Sequence, residues 1–317
     1  MRFTFRQLEY FVATGECGSI RMASERIHVS QPSISTAISQ LEKEFGVTLF
    51  VRQHAQGLSL TSAGHRFLRE AKEILSQADA LYDLADELSD HIRGPFRVGC
   101  MLTLAPKVLP QLCYAFSGQH EDVRLSTIVA HHKELMEHLM DANIDMAVTY
   151  DLGIPEGVTF EPLAELKPVA LVGKNSPLAK LERVSLEELA KEQLILLDLP
   201  LSREYFMSLF FSYGIKPKVH TASPYPEVIR TMVGNGYGYT LVNLVAESSY
   251  SLDGQELVCL ELTGNHQPMI MGMAMTTNGH KTRLQDAFES FCRGQVNIEN
   301  QAIFALPDNV EVLELRR

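Results

Sequence analysis

Residues 30–64 read SQPSISTAISQLEKEFGVTLFVRQHAQGLSLTSAG, and their pattern decides how the chain begins to fold. Ile34, Ile38, Leu41 and Phe45 recur at intervals of four, three and four, which gathers them on one side of a helix. The opposite side carries Ser33, Ser35, Thr36, Ser39, Gln40 and Lys43, short polar groups and donors that can approach phosphates and base edges. Ser30 is placed as an N-cap, Pro32 falls in the first turn where its missing NH costs little, and Gly46 supplies the stop. A small helical domain with a merely solvated face is the alternative, but stability gives no reason to line one exposed helix side with serine and threonine.

Working outward, Ser19 caps a short upstream helix in which Ile20, Ala23 and Ile27 face one way. His28 and Val29 leave room only for a tight connection, so the two helices read as a helix-turn-helix. Phe5, Leu8, Phe11 and Val12 supply the stripe of a first helix, which Gly15 and Gly18 are expected to break. After Gly46, the β-prone segments VTLFVR and LSLT flank the turn-like HAQG and read as a two-stranded wing. Arg52 at its base is suited to neutralise phosphate or enter a minor groove.

With LEYFVA at 8–13, GSIRMASERIHVSQPSIS at 18–35, LEKEFGVTLFVR at 41–52 and LSLTSAG at 58–64, the segment resembles the N-terminal winged helix-turn-helix of the LysR-type transcriptional regulators. The resemblance implies that Gln31, Pro32, Ser33, Ser35 and Thr36 meet double-stranded DNA from the recognition helix, with Arg52 on the wing. Ser39 joins this set from the polar helix face. The chain departs from the family's frequent arginine and glutamine at Thr36 and Ala37, and from a second basic turn residue at His54 and Gln56.

A formal charge of −11 over 317 residues is at odds with DNA binding until it is divided along the chain. Residues 1–72 hold nine Lys and Arg against six Asp and Glu, and the remainder holds 19 against 33. Only the N-terminal part suits DNA, and so small a basic excess calls for more than one copy. From residue 67, Phe67, Ala71, Ile74, Ala78, Leu81, Ala85, Leu88 and Ile92 alternate spacings of four and three, a heptad seam, with Thr61 as N-cap and Gly94-Pro95 as terminator. This linker helix, residues 65–93, is expected to form a homodimer; an amphipathic helix on its own domain's core is the alternative. LysR-type regulators are similar in dimerising through such a helix and often form homotetramers, with RNA polymerase as a further candidate partner.

Beyond Pro95, FRVGC, RLSTIVA, IDMAVTY, PVALVG, QLILL, KVHTA, YGYTLV, LVCLEL and MIMGMAM read as strands. Helices are expected near 105–117, 132–142, 185–192, 203–213, 226–234 and 281–293, so strand and helix alternate as in α/β units with mainly parallel sheets. The proline-marked stretches EPLAELKP and TGNHQP divide the sheet into two lobes, 95–163 with 268–296 and 164–267, leaving 297–317 as a tail. The arrangement resembles the two-lobed, periplasmic-binding-protein-like effector domain of the same regulators. A ligand would sit at strand C-termini and helix N-termini between lobes. The residues there are Thr103, His131, Thr149 and the Asp198–Arg203 loop, with Thr103 and Ser202 as hydrogen-bond partners, Arg203 as a carboxylate clamp and Asp198 as an amine acceptor. A carboxylate or amino-acid-like metabolite is the expected effector.

Other chemistry is weak. His131, His132 and His138 lie near Glu134 and Glu137 without HExxH or paired-cysteine spacing, so neither metal nor cofactor is expected. The glycines at 234–238 precede a strand, unlike a dinucleotide fingerprint, and no nucleophile, base and orienter set points to an enzyme. Cys17, Cys100, Cys113, Cys259 and Cys292 read as reduced core thiols. A cysteine-based redox-sensing regulator, with Cys100 beside the pocket, and a cytosolic solute-binding protein without DNA function are the alternative functions. Without a signal peptide, long apolar span or lipidation motif, a cytoplasmic protein with no membrane partner is expected.

Overall fold

The computed structural model describes residues 3–53, 57–86, 92–246, 248–277, 281–296 and 310–312. They fall into two units, Met1–Ile92 with Met140–Asn143, and Arg93–Leu139 with Ile144–Arg317.

In the first unit, α1 (Phe5–Cys17) starts on a reciprocal cap, in which the Thr4 side chain accepts from Gln7 N and the Gln7 side chain accepts from Thr4 N. Gly15, expected to break this helix, lies inside it, and the stop comes at Gly18. One interior glycine costs only about 1 kcal/mol, which the packing of Leu8 and Phe11 outweighs. Ser19 caps α2 (Ile20–Ile27) and Ser30 caps α3 (Gln31–Phe45), each accepting from a backbone NH three residues on. Gly46 ends α3 at φ 67°, a left-handed conformation that glycine adopts without a Cβ clash.

Leu8, Phe11, Ala23, Ile34 and Leu41 are fully buried, and Phe11 meets Phe50 and Phe67 with ring centroids 5.5 Å apart in each pair. Phe5 and Phe45, expected on the buried stripes, are 47% and 40% exposed. They are the terminal residues of their helices, and Phe45 is covered on one side by Phe3 and Phe67.

β1 (Phe50–Gln53) and β2 (Gly57–Leu60) pair antiparallel as the expected wing. The Glu42 carboxylate fastens its start to α3, accepting from Leu49 N at 2.7 Å and Phe50 N at 3.2 Å. Thr61 caps α4 (Ser62–Asp86) by accepting from Gly64 N at 2.8 Å. A Cβ at Gly64 would lie 2.1 Å from Leu49 O, so only glycine lets the first turn of α4 approach the wing.

The heptad reading needs correction at its start. Phe67 and Ala71 pack with Leu68 and Leu75 against the core of the first unit, so these turns complete a domain rather than a seam. Of the later heptad positions, Ile74 is 38% exposed and Ala78 half-buried. The side chains of Leu81 and Ala85, and residue Leu88, lie outside the described residues.

The second unit holds two six-stranded sheets, one per lobe. Lobe 1 has the order β14-β6-β13-β5-β3-β4, with β3 (Gly94–Met101), β4 (Val123–Ala130), β5 (Met146–Tyr150), β6 (Val158–Leu166), β13 (Met269–Thr276) and β14 (Val310–Val312). Lobe 2 has the order β10-β9-β11-β7-β12-β8, with β7 (Val169–Gly173), β8 (Arg183–Val184), β9 (Gln193–Leu197), β10 (Lys218–Ser223), β11 (Tyr239–Val242) and β12 (Leu257–Leu262).

The sheets are mixed rather than mainly parallel. β3 runs parallel to β4 and β5, but β13 is antiparallel to β5 and β6. A strand returning from the other lobe enters against the direction of strands joined by helices within its own lobe.

Most of EPLAELKP, Glu161–Leu166, belongs to β6, so the first crossing falls at its end, at Lys167 and Pro168, rather than at 163–164. Pro162 is accommodated where the register with β13 slips, Met271 facing Ala164 and Gly272 facing Pro162, a bulge that absorbs the missing donor. The chain leaves lobe 1 after Leu166 and returns between Leu262 and Met269. Part of the expected tail, β14, pairs antiparallel with β6.

The connecting helices are α5 (Ala105–Val108) and α6 (Ala115–Gln119), joined through a π segment at Leu109–Tyr114, then α7 (His132–Met140), α8 (Leu186–Leu189), α9 (Ser202–Phe211), α10 (Pro226–Gly234) and α11 (Arg283–Val296). Pro110 removes a backbone donor inside the π segment, which favours the wider turn.

Candidate functional site

Two surfaces carry chemistry. On the first unit, α3 buries Ile34, Ala37, Ile38 and Leu41. It leaves Gln31, Pro32, Ser33, Thr36, Ser39, Gln40 and Lys43 exposed, with Ser35 half-buried. Gln31, Pro32 and Ser35 line a shallow depression with Ile20 and Ser24 of α2.

Not every polar group on this face is equally available. Ser33 Oγ lies 2.8 Å from Ser30 Oγ and belongs to the helix cap, and Gln40 Oε1 accepts from Gln7 Nε2 at 2.7 Å. The least committed groups are therefore Gln31, Ser35, Thr36 and Ser39. Arg52 lies in β1 opposite Leu58, and its side chain is outside the described residues.

Behind this face, Glu16 joins Lys72 at 2.9 Å and Arg26 at 2.7 Å. Burial alone would raise the Glu16 pKa, but its bond to Lys72 and the charges of Lys72 and Arg26 hold it below the ordinary carboxylate range.

The second surface is assembled at the C-terminal ends of β3, β4, β5 and β9, where α/β folds place ligands. Thr103 Oγ1 lies 3.1 Å from the Tyr150 hydroxyl, and burial pushes Tyr150 well above the ordinary phenol range. Thr149 is fully buried, with Oγ1 2.9 Å from His132 Nδ1. The bond holds His132 in place.

His132, not His131, is the buried histidine, and burial lowers its pKa. His131 lies beside Glu134, with Nδ1 accepting from Glu134 N at 3.5 Å in the first turn of α7. Across from β5, Leu201 takes a left-handed φ of 67° before α9, and a Cβ on Gly153 would meet its side chain at 3.6 Å. A leucine in that region stores about 1–3 kcal/mol of strain, a feature that clusters at ligand sites. Ser202 is buried beside it. Arg203 and Asp198 pair with each other at 2.7 Å, both about half exposed, so each meets the other's charge before any ligand's.

His132, named only among weak metal candidates, and Tyr150 were not expected at this surface. Only Tyr150, the polar end of the apolar run MAVTY, carried a visible signal.

The cysteines divide as well. Cys100, Cys113 and Cys292 are buried, Cys17 is half-buried and Cys259 is exposed, so the expectation of five core thiols holds for three. Burial raises Cys100 and Cys292 far above the usual thiol range and pushes Cys113 up to about 12. Cys259 is raised too, with Arg230 partly opposing the shift. Among the described residues no cluster of His, Cys, Asp and Glu could hold a metal ion, and no helix is long and apolar enough to cross a membrane.

Comparison with known proteins gives a family match for each part of the chain. Residues 5–65 match the family described as bacterial regulatory helix-turn-helix protein, lysR family, and residues 89–297 match the LysR substrate binding domain. The hydrogen peroxide-inducible genes activator of Pectobacterium carotovorum subsp. carotovorum is 30% identical over 238 residues, 75% of this chain and 78% of that protein. The crystal structure of HinK, a LysR family transcriptional regulator from Pseudomonas aeruginosa, is 35% identical with a TM-score of 0.63, covering 93% of this chain and 99% of that one. CbnR complexed with its target DNA shares the fold, at 24% identity and a TM-score of 0.56 over 93% of this chain and all of that one.

Proposed function

The chain belongs to the LysR family of DNA-binding transcriptional regulators with an effector-binding domain, and on that premise we propose how it works: α3 enters the major groove, and a small polar metabolite bound between the lobes changes the spacing of two such heads. The observation that carries this reading is the division of α3 into a buried Ile34, Ile38 and Leu41 face and an open Gln31, Ser35, Thr36 and Ser39 face. Residues of that size bring the helix close to base edges, while Arg52 and Lys43 supply phosphate contacts.

The functional form is a homodimer through α4 from Ile74 onward, with a tetramer as the larger assembly. Two heads supply the charge that one lacks. CbnR in its DNA complex lends the same direction to the proposal. The effector is a carboxylate or amino-acid-like molecule that meets Thr103, Tyr150 and Ser202 and opens the Asp198–Arg203 pair, so that Arg203 takes its carboxylate. An effector acts only through its differential affinity for the two assembly states. The protein works in the cytoplasm, contacts RNA polymerase when it activates, and has no catalytic role.

The direct test is binding to duplex from the region upstream of its own gene across a salt series. Sequence-preferring binding that weakens steeply with salt is expected; equal binding to an unrelated duplex of the same length would overturn the reading. A thermal-shift screen of small carboxylates, amino acids and amides identifies the effector class, because a ligand of the native state raises its melting point.

The peroxide-inducible relatives favour a second reading, redox sensing through a thiol. The raised thiols of Cys100, Cys113 and Cys292 argue against it, since the thiolate is the reactive form. DNA binding unchanged by stoichiometric hydrogen peroxide would set this second reading aside.

A further inference from the structure

We propose that Tyr205 and Asn243 are positioning residues that fasten the first turn of α9 to both crossover segments, making the effector loop mechanically continuous with the hinge between the lobes. The inference rests on the interlobe effector reading above for its purpose, but its geometry stands on hydrogen bonds within the protein. Asn243, just past β11, is 5% exposed, and its Nδ2 donates to Leu166 O at 3.0 Å and to the Tyr205 hydroxyl at 3.0 Å. Tyr205 in turn donates to Gln267 O at 2.9 Å.

Leu166 is the last residue before the chain crosses into lobe 2, and Gln267 lies in the segment by which it returns. One amide and one phenol therefore join both crossings, with both Asn243 hydrogens and the Tyr205 hydrogen engaged. Tyr213, just after α9, adds a second tether by donating to Asn265 O at 3.1 Å.

The other end of this connection is the effector loop. Tyr205 lies three residues after Ser202, so the two share a helix face, and the turn between them moves as one body. Immediately before it, Leu201 holds its left-handed φ of 67°, a conformation that relaxes if the loop rearranges. Hinges bend at a few residues at element ends, and here those residues are bonded to the helix that carries the ligand loop. A shift of α9 toward a ligand must pull on Leu166 and Gln267 together or break the bonds to them.

Tyr205→Phe tests this, since it removes one hydroxyl and keeps the ring against Phe206. Hydrogen exchange on the full-length protein without ligand should quicken about tenfold at the amides of 166–169 and of 263–267, with the melting point falling by no more than about 4 °C. The diagnostic feature is the coupled response, because Tyr205 is linked to the first crossing through Asn243. Asn243→Ala should loosen 166–169 more than 263–267. Faster exchange confined to α9, or no change at either crossing in Tyr205→Phe, overturns the proposal; that variant decides the matter if Asn243→Ala does not fold. Failure of the effector reading is separate, and shows as the absence of any melting-point rise in the ligand screen of the wild-type protein.

Discussion

The first unit wears its chemistry on the outside of one helix, whereas the second hides it at the ends of strands far apart in the chain. In α3 a single period separates Ile34 and Leu41 inside from Thr36 and Ser39 outside, so pattern and function coincide. In the effector unit the proposed site draws on Thr103, His132, Tyr150 and Ser202 from both lobes, and no local period links them. A DNA-reading surface must be convex and regular to fit a groove; a small-molecule site must be concave and is built by topology.

That contrast can be broken or sharpened, beginning with the largest effect. Phe11→Ala leaves a cavity beneath Phe50 and Phe67 and should cost the first unit about 3–5 kcal/mol, with the effector unit's unfolding unchanged. Chemical denaturation followed by hydrogen exchange in each unit measures it, and equal loss in both would show that the units do not stand apart. Ser35→Glu with Thr36→Glu should lower duplex affinity about 100-fold by setting two anions against phosphate, with the dimer intact by sedimentation. Retained affinity would mean that α3 faces elsewhere. Ile74→Lys should weaken dimerisation about tenfold, since it charges the first free position of the seam; an unchanged dimer would move the interface off α4.

The smallest effect is a difference in acid sensitivity. His132 has its pKa lowered by burial, so its stabilising contribution is complete above about pH 6.5 and is lost as the pH falls through the lower folded value. Glu16 would be raised by burial alone, but Lys72 and Arg26 hold it low; its contribution is complete above about pH 4.5 and is lost as the pH falls through its folded value. Exchange measured between pH 7.5 and 4 should show the effector unit loosening first. The reverse order would contradict the assignment of these two groups.

How far each region could be read from sequence follows the same division. The caps Ser19, Ser30 and Thr61, the stop at Gly46 and the wing were legible because each is a local interaction within a few residues. Nine of the strands were legible as apolar runs, but β6 was not, since Pro162 marks a loop unless a bulge shelters it. The period beginning at Phe67 was legible but the partner of its first turns was not: Phe67 and Ala71 fit a second helix and the core of their own domain equally well, and they pack in the latter. In the effector unit, Thr103 and Ser202 could be placed at strand ends from sequence. The Thr149–His132 pairing could not, because it depends on which segments the fold brings together, and the Asp198–Arg203 pairing follows no regular helix or strand spacing.

Methylation interference on the bound upstream duplex tests the central claim most directly, because guanine N7 faces the major groove. Two patches of interference on one face of the duplex, separated by about one helical turn or a whole multiple of it, are the predicted result for paired α3 helices. Binding indifferent to N7 methylation, or a single unpaired patch, would contradict it.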